Sequence, residues 1–246
     1  MKILVICILA IGSVLADAKV VEEPVTYMGV KFRVVRVPPE QVQLVWKNSA
    51  DEPYRTFDQV QAAYTKAGKS VAFLMNAGIY EPGGIPSGLH IEQGKTLHSL
   101  NLAEAPGNFF LKPNGVVWLE KGSQPRAFIG TSEAFLTREK KAGGSIEMAV
   151  QSGPMLLVDG VRHPAFREGS ASKLHRNGVG VDSENRLVFA ITERIESVNF
   201  WDFAGLFLHL DCRNALFLDG DISQMAVNPT QPVASNQFGA MFLILK

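Results

Sequence analysis

Ile146-Glu147-Met148-Ala149-Val150, Met155-Leu156-Leu157-Val158, Gly178-Val179-Gly180-Val181 and Leu187-Val188-Phe189-Ala190-Ile191-Thr192 follow one another as four short apolar runs. Their length and β-branched content read as strands, and Asp159-Gly160 supplies a hairpin turn behind the second. No helix-period segment lies between them, which argues against a doubly wound βαβ fold. Outward from this block the same signal recurs. Val25 to Val37 and Gln41 to Trp46 alternate apolar and polar residues around Pro38-Pro39, and Val71 to Met75 is a buried-strand run that delivers the chain to Asn76. Leu216-Phe217-Leu218 and Met241 to Leu245 close the chain as strands. From Gly88 to Glu120, turn signals at Gln93-Gly94-Lys95 and Pro113-Asn114-Gly115 predict two hairpins, the clearest pairing Phe109-Phe110-Leu111 with Val116-Val117-Trp118.

Three segments carry helical periodicity. Thr56-Phe57-Asp58-Gln59 has capping-box spacing and opens a helix that stops at Gly68; Thr131 to Lys140 is a second; Asn199 to Leu210, capped by Asn199, is the third. The expectation is an α+β protein, strand-rich, with a mixed, largely antiparallel sheet and about three helices, forming one domain over residues 19–246.

Lys2, the apolar run Ile3 to Leu15 and the small residues Ala16 and Ala18 read as a signal peptide over residues 1–18, too short to span a bilayer. The mature protein is then expected to be exported, periplasmic or secreted, without stable membrane insertion. Only Cys212 would remain, and a single thiol next to an apolar helix end reads as buried and structural. Lys and Arg number 24 against 24 Asp and Glu, with no basic run, which argues against a nucleic-acid partner. Zincin, redox, dinucleotide and nucleophile-elbow motifs are missing, and Gly94-Lys95-Thr96 lacks the first glycine of a phosphate loop. His90, His98, His163, His175 and His209 have no metal-ligand spacing, so neither a metal site nor a cofactor is expected.

Chemistry is expected where polar residues and glycines interrupt apolar runs. Asn76-Ala77-Gly78 ends a buried strand in an amide and a glycine that admits close approach of a ligand; Gln151-Ser152-Gly153-Pro154 joins two strands. His175-Arg176-Asn177-Gly178-Val179-Gly180 places a cation beside two glycines whose amides suit an anion. Leu218-Asp219-Gly220-Asp221-Ile222-Ser223 ends an apolar strand in a partly desolvated carboxylate, suited to a nucleophile or an acid/base, and Glu193 is a second carboxylate. A carboxylate together with Arg176 points to a sugar phosphate or phosphodiester substrate.

In this order and spacing, Met75-Asn76-Ala77-Gly78-Ile79-Tyr80, Pro86-Ser87-Gly88-Leu89, Pro106-Gly107-Asn108-Phe109-Phe110, Gln151-Ser152-Gly153-Pro154-Met155, Arg176-Asn177-Gly178-Val179-Gly180 and Leu216-Phe217-Leu218-Asp219-Gly220 resemble the phosphodiester glycosidase family, most closely its bacterial branch. The resemblance implies a hydrolase that cuts between a sugar anomeric carbon and a phosphodiester, N-acetylglucosamine-1-phosphodiester in the lysosomal branch, and so a glycan or sugar-phosphate substrate in a cell-surface or extracellular glycan. It implies Asp219 as nucleophile or acid/base with Glu193 as a second catalytic carboxylate. Arg176 and nearby amides would hold phosphate, and Asn76, Gly78, Ser152 and Ser223 would complete the substrate site. Asp221-Ile222 departs from the further glycines that follow Asp-Gly in that branch, which bears on substrate range. A non-catalytic glycan-binding or envelope-assembly module, and a metal-assisted phosphodiesterase using Asp219, Asp221 and Glu193, remain the alternatives.

Overall fold

A computed structural model describes residues 19–142 and 145–246; the expected signal peptide falls outside them. A first sheet has the order β1 (Glu22–Tyr27), β2 (Val30–Val37), β15 (Leu187–Thr192), β14 (Asn177–Asp182), β16 (Cys212–Asp219), β12 (Met155–Val158), β13 (Val161–Arg162). A second runs β10 (Arg126–Thr131), β9 (Gly115–Glu120), β11 (Ile146–Ser152), β7 (His90–Glu92), β8 (Lys95–His98). A third runs β17 (Met225–Val227), β4 (Val71–Asn76), β18 (Met241–Leu245), β3 (Gln43–Val45), and β5 (Tyr80–Glu81) pairs with β6 (Ile85–Pro86) as a short ribbon. Among the described residues every strand pair is antiparallel. The helices are α1 (Phe57–Lys66), α2 (Ser132–Ala142) and α3 (Phe200–His209). The α+β, strand-rich expectation therefore holds.

The three large sheets turn one face each into a common core. Val179, Phe189, Leu216 and Leu218 come from the first, Val117, Leu119 and Val150 from the second, Phe73, Met75 and Phe242 from the third. Each outer face carries one helix: α3 covers the first sheet through Phe203, Leu206 and Phe207, α1 the third through Phe57 and Val60, and α2 meets Trp118 of the second through Phe135. Burial on both faces is why β4, β9 and β15 read as unbroken apolar runs rather than alternating ones. Cys212 is free and buried under α3, and burial pushes its thiol up to about 12, so the structural reading of that residue stands. No helix among the described residues is long and apolar enough to cross a membrane.

Two local expectations fail for identifiable reasons. Thr56 occupies the N-cap of α1 but its side chain makes no capping bond; Ser235 Oγ, remote in sequence, accepts the Phe57 N–H at 3.0 Å instead. Phe109-Phe110-Leu111 is not a strand: residues Asn108–Phe110 form a 3₁₀ turn. The Asn114 side chain donates to the Phe109 carbonyl at 2.9 Å, and β9 is already flanked by β10 and β11 on both edges, so no ladder position is open to that segment.

Candidate active site

The ends of four strands from all three sheets converge. β4 ends at Asn76, β11 at Ser152, β16 at Asp219, and β14 begins at Asn177. The ladder between β14 and β16 shifts register here: Asn177 faces Asp219, whereas Gly178 faces Phe217, leaving Leu218 as an extra residue on β16. Such a bulge bends its strand and re-aims the next side chain. The Ser152 hydroxyl fixes the bulge by donating to the Leu218 carbonyl at 2.9 Å, and it accepts the Ile79 N–H at 3.3 Å.

Asn177, fully buried, ties the sheets together. Its Oδ1 accepts the Asp219 N–H at 2.8 Å, and its Nδ2 donates to both the carbonyl and the Oδ1 of Asn76, each at 3.1 Å. Asn76 Oδ1 also accepts the Gln224 N–H at 3.0 Å, and its Nδ2 reaches Ser223 Oγ at 3.5 Å. Every amide atom of this pair is oriented by a partner, so the loop Gly220–Gln224 leaves β16 in a fixed direction.

Asp219 makes no ion pair among the described residues. Burial pushes its carboxyl up to about 6; the Gly220 N–H, donated to Oδ1 at 2.8 Å, pulls it down, and the nearby negative charge of Asp221 pushes it up again. Arg176 is 1% exposed. Its guanidinium lies 3.7 Å from the Phe200 ring centroid and 5.5 Å from that of Phe217, Nε donates to the Val198 carbonyl at 2.8 Å, and buried Nη1 has no partner. Burial draws its pKa down to about 10 while Asp221 opposes the shift, so the group stays cationic at neutral pH. A buried N–H of a cation without an acceptor is costly, and an anion would satisfy it. The charge of Asp221 acts on both groups. Beside them a cleft of about 650 Å³ is lined in part by His175, Thr192, Glu193, Arg194, Asp221 and Ser223.

A family model described as phosphodiester glycosidase covers residues 69–241, a span that includes every residue of the cluster. The chain belongs to the phosphodiester glycosidase family. It is 34% identical to the uncharacterized protein YigE of Escherichia coli over 223 residues, 90% of this chain and 83% of that protein. In fold, the chain resembles the catalytic domain of zebrafish N-acetylglucosamine-1-phosphodiester alpha-N-acetylglucosaminidase, with a TM-score of 0.63 at 14% identity over 92% of this chain and 82% of that one. A putative exported protein from Burkholderia pseudomallei matches with a TM-score of 0.55 at 12% identity, over 88% of this chain and 74% of that one.

Within the candidate site the residues expected from sequence divide. Asn76, Ser152, Asp219 and Ser223 meet in one hydrogen-bonded cluster. Gly78 is a close-approach position, but toward protein: a Cβ there would lie 2.5 Å from the Gln151 carbonyl of β11, so the glycine serves sheet packing rather than a ligand. The glycines after Arg176 likewise face protein, since a Cβ on Gly178 or Gly180 would press on Phe203, Phe207 or Cys212; they seat α3 and form no anion nest. Glu193 lines the cleft and its charge acts on Arg33, while the carboxylate whose charge acts on Asp219 is Asp221. Asn177, His175 and Thr192 were missed as site residues. Strand alternation held a signal for the first: if Arg176 points under α3, its neighbour Asn177 must point into the opposite face. Among the described residues no three His, Cys, Asp or Glu side chains gather as a metal-ligand set.

Proposed function

We propose that this chain hydrolyses the bond between a sugar anomeric carbon and a phosphodiester, with N-acetylglucosamine the first sugar to test because the zebrafish relative is named for it. The observation that carries the reading is that a desolvated Asp219 carboxylate and a buried, incompletely bonded Arg176 guanidinium both feel the charge of Asp221. Arg176 holds the phosphodiester anion. The bond from C1 to the phosphate oxygen breaks, and its electron pair leaves with that oxygen as a phosphomonoester. A phosphate oxygen is a weak base and departs without a proton, so Asp219 acts ionised, either attacking C1 to form a glycosyl ester that water then hydrolyses to free sugar, or taking the proton from the water that attacks C1. Asn76, Asn177 and Ser152 hold Asp219, and Ser223 and Glu193 face the cleft that would take the rest of the substrate. Export of the protein, and a cell-surface or extracellular glycan as its substrate, belong to the same proposal.

The test is incubation of the purified protein with a panel of sugar 1-phosphodiesters, free sugar and phosphomonoester being assayed separately. Release of both supports the reading; release of neither from any member overturns it. The pH dependence follows from the raised carboxyl of Asp219. Below about 6 the folded enzyme holds it protonated, so kcat/KM is expected to rise with pH, to be about tenfold lower at pH 5 than at pH 7, and to level off above that. A rate that instead falls above pH 6 would assign Asp219 as the acid.

A further inference from the structure

His175 lies just ahead of β14, half-buried, at the wall of the cleft. Three of its polar groups reach other segments. The backbone N–H donates to Asp221 Oδ1 at 3.2 Å, Nε2 lies 3.1 Å from the Ser223 carbonyl, and Nδ1 lies 2.7 Å from Thr192 Oγ1 at the end of β15. A carbonyl only accepts, so Nε2 carries a proton. Thr192 Oγ1 accepts the Arg176 N–H at 3.1 Å, and with the imidazole neutral its own proton goes to Nδ1. The result is one directed chain: Arg176 N–H to Thr192 Oγ, Thr192 O–H to His175 Nδ1, and His175 Nε2–H to Ser223 O. The loop it ends on carries Asp219 at its start and Asp221 in its middle. Beyond the Asn76 contact, that loop is held by its own turn, Ser223 N–H to Gly220 O at 2.8 Å, and by Asn236 Nδ2 donating to Ile222 O at 2.9 Å.

We infer that His175 is a positioning residue, a clamp that fixes the 219–223 loop against β14 and β15 and so sets where the Asp219 and Asp221 carboxylates stand. The inference rests on the reading above in taking Asp219 as the reacting group; the clamp itself is a property of the fold. His175 does not touch the reacting atoms. Its ring aligns them through Ser223, and its main chain through Asp221.

Three substitutions separate a clamp from a side chain that merely fills space. In His175→Gln the amide nitrogen reaches the place of Nε2 and still donates to Ser223 O. In His175→Asn the amide ends near Nδ1 and reaches only Thr192. His175→Ala removes both. For a clamp, Ala and Asn lower kcat about tenfold to a hundredfold with KM within about threefold, and Gln keeps kcat within about threefold of wild type. Deuterium uptake by the amides of residues 219–225 provides a readout that needs no substrate: about tenfold faster in Ala and Asn, unchanged in Gln. Uptake equal to wild type in all three variants, or Gln as impaired as Ala in both readouts, overturns the clamp. Uptake that separates as expected in a protein inactive on the whole substrate panel would support the clamp and overturn only the substrate reading.

Discussion

Asp219→Asn is expected to cut turnover by about a thousandfold or more while leaving the protein more stable than wild type at neutral pH. The amide is isosteric, and its Oδ1 can still accept the Gly220 N–H, so the loop keeps its bond. What disappears is a charge in a site that penalises it. Burial raises the Asp219 carboxyl from 3.8 to about 6, and a group whose folded pKa lies above its unfolded one opposes folding wherever it is ionised. At pH 7 that opposition is on the order of 3 kcal/mol at most, and less where water still reaches the carboxylate. It fades as pH falls through 6 and is gone below about 4, where both states are protonated. The stability gap between Asn and wild type should therefore be widest at pH 7 to 8, about 3–6 °C in melting temperature, and close toward pH 4. Thermal melts at both pH values beside a single-turnover assay test this. A gap that does not move with pH would mean that Asp219 is not desolvated; a gap with turnover intact would remove Asp219 from the chemistry.

Asn177→Ala is expected to damage both properties at once. The residue is fully buried, and its loss strands the Asp219 N–H and the Asn76 carbonyl, while Asn76 Oδ1 keeps only the Gln224 N–H. Unsatisfied buried groups cost about 1–3 kcal/mol each, so a loss of about 3 kcal/mol and about 6–12 °C in melting temperature follows, with turnover falling because the β16 bulge is no longer held opposite β14. Asn177→Asp distinguishes the two jobs. It keeps the acceptor for Asp219 N–H but turns an oxygen toward the oxygens of Asn76 and adds charge beside Asp219 and Asp221, so it should be no more active than Ala. Denaturant unfolding with activity measured in parallel checks both variants. Wild-type stability in Asn177→Ala would show that these bonds do not hold the first and third sheets in place.

Much of this fold was legible because its strands are buried on both faces. A run such as Leu187 to Thr192 declares itself by apolarity alone, and Asn199 declared the start of α3 by its cap, where it accepts the Asp202 N–H at 2.8 Å. What escaped was decided by contacts across long stretches of chain. Nothing near Thr56 indicates that Ser235 caps α1, and nothing near Phe109 indicates that its carbonyl is taken by the Asn114 side chain. The site shows the same division. Asp219 was visible as an acid ending an apolar strand, because desolvation there is a local consequence of Leu216-Phe217-Leu218. Gly78, Gly178 and Gly180 were misread since a glycine announces close approach without saying to what. Asn177 was passed over because the alternation that turns it away from Arg176 is informative only once Arg176 is placed against Phe200 and Phe217 under α3.

The bonds that define the cluster join residues 101, 147 and 148 positions apart along the chain. Loop closures of that length come late in folding, after local hairpins such as β7–β8 and β9–β10 have formed. No contiguous stretch of the sequence holds the cluster by itself, and a partly folded chain can have most of its secondary structure while Asp219 remains solvated with an ordinary carboxylate pKa. Catalytic competence would then arrive only at the step in which the equally long-range pairings of β2 with β15 and of β4 with β17 and β18 bring the three sheets together. Until that step the reactive carboxylate does not exist in its working form.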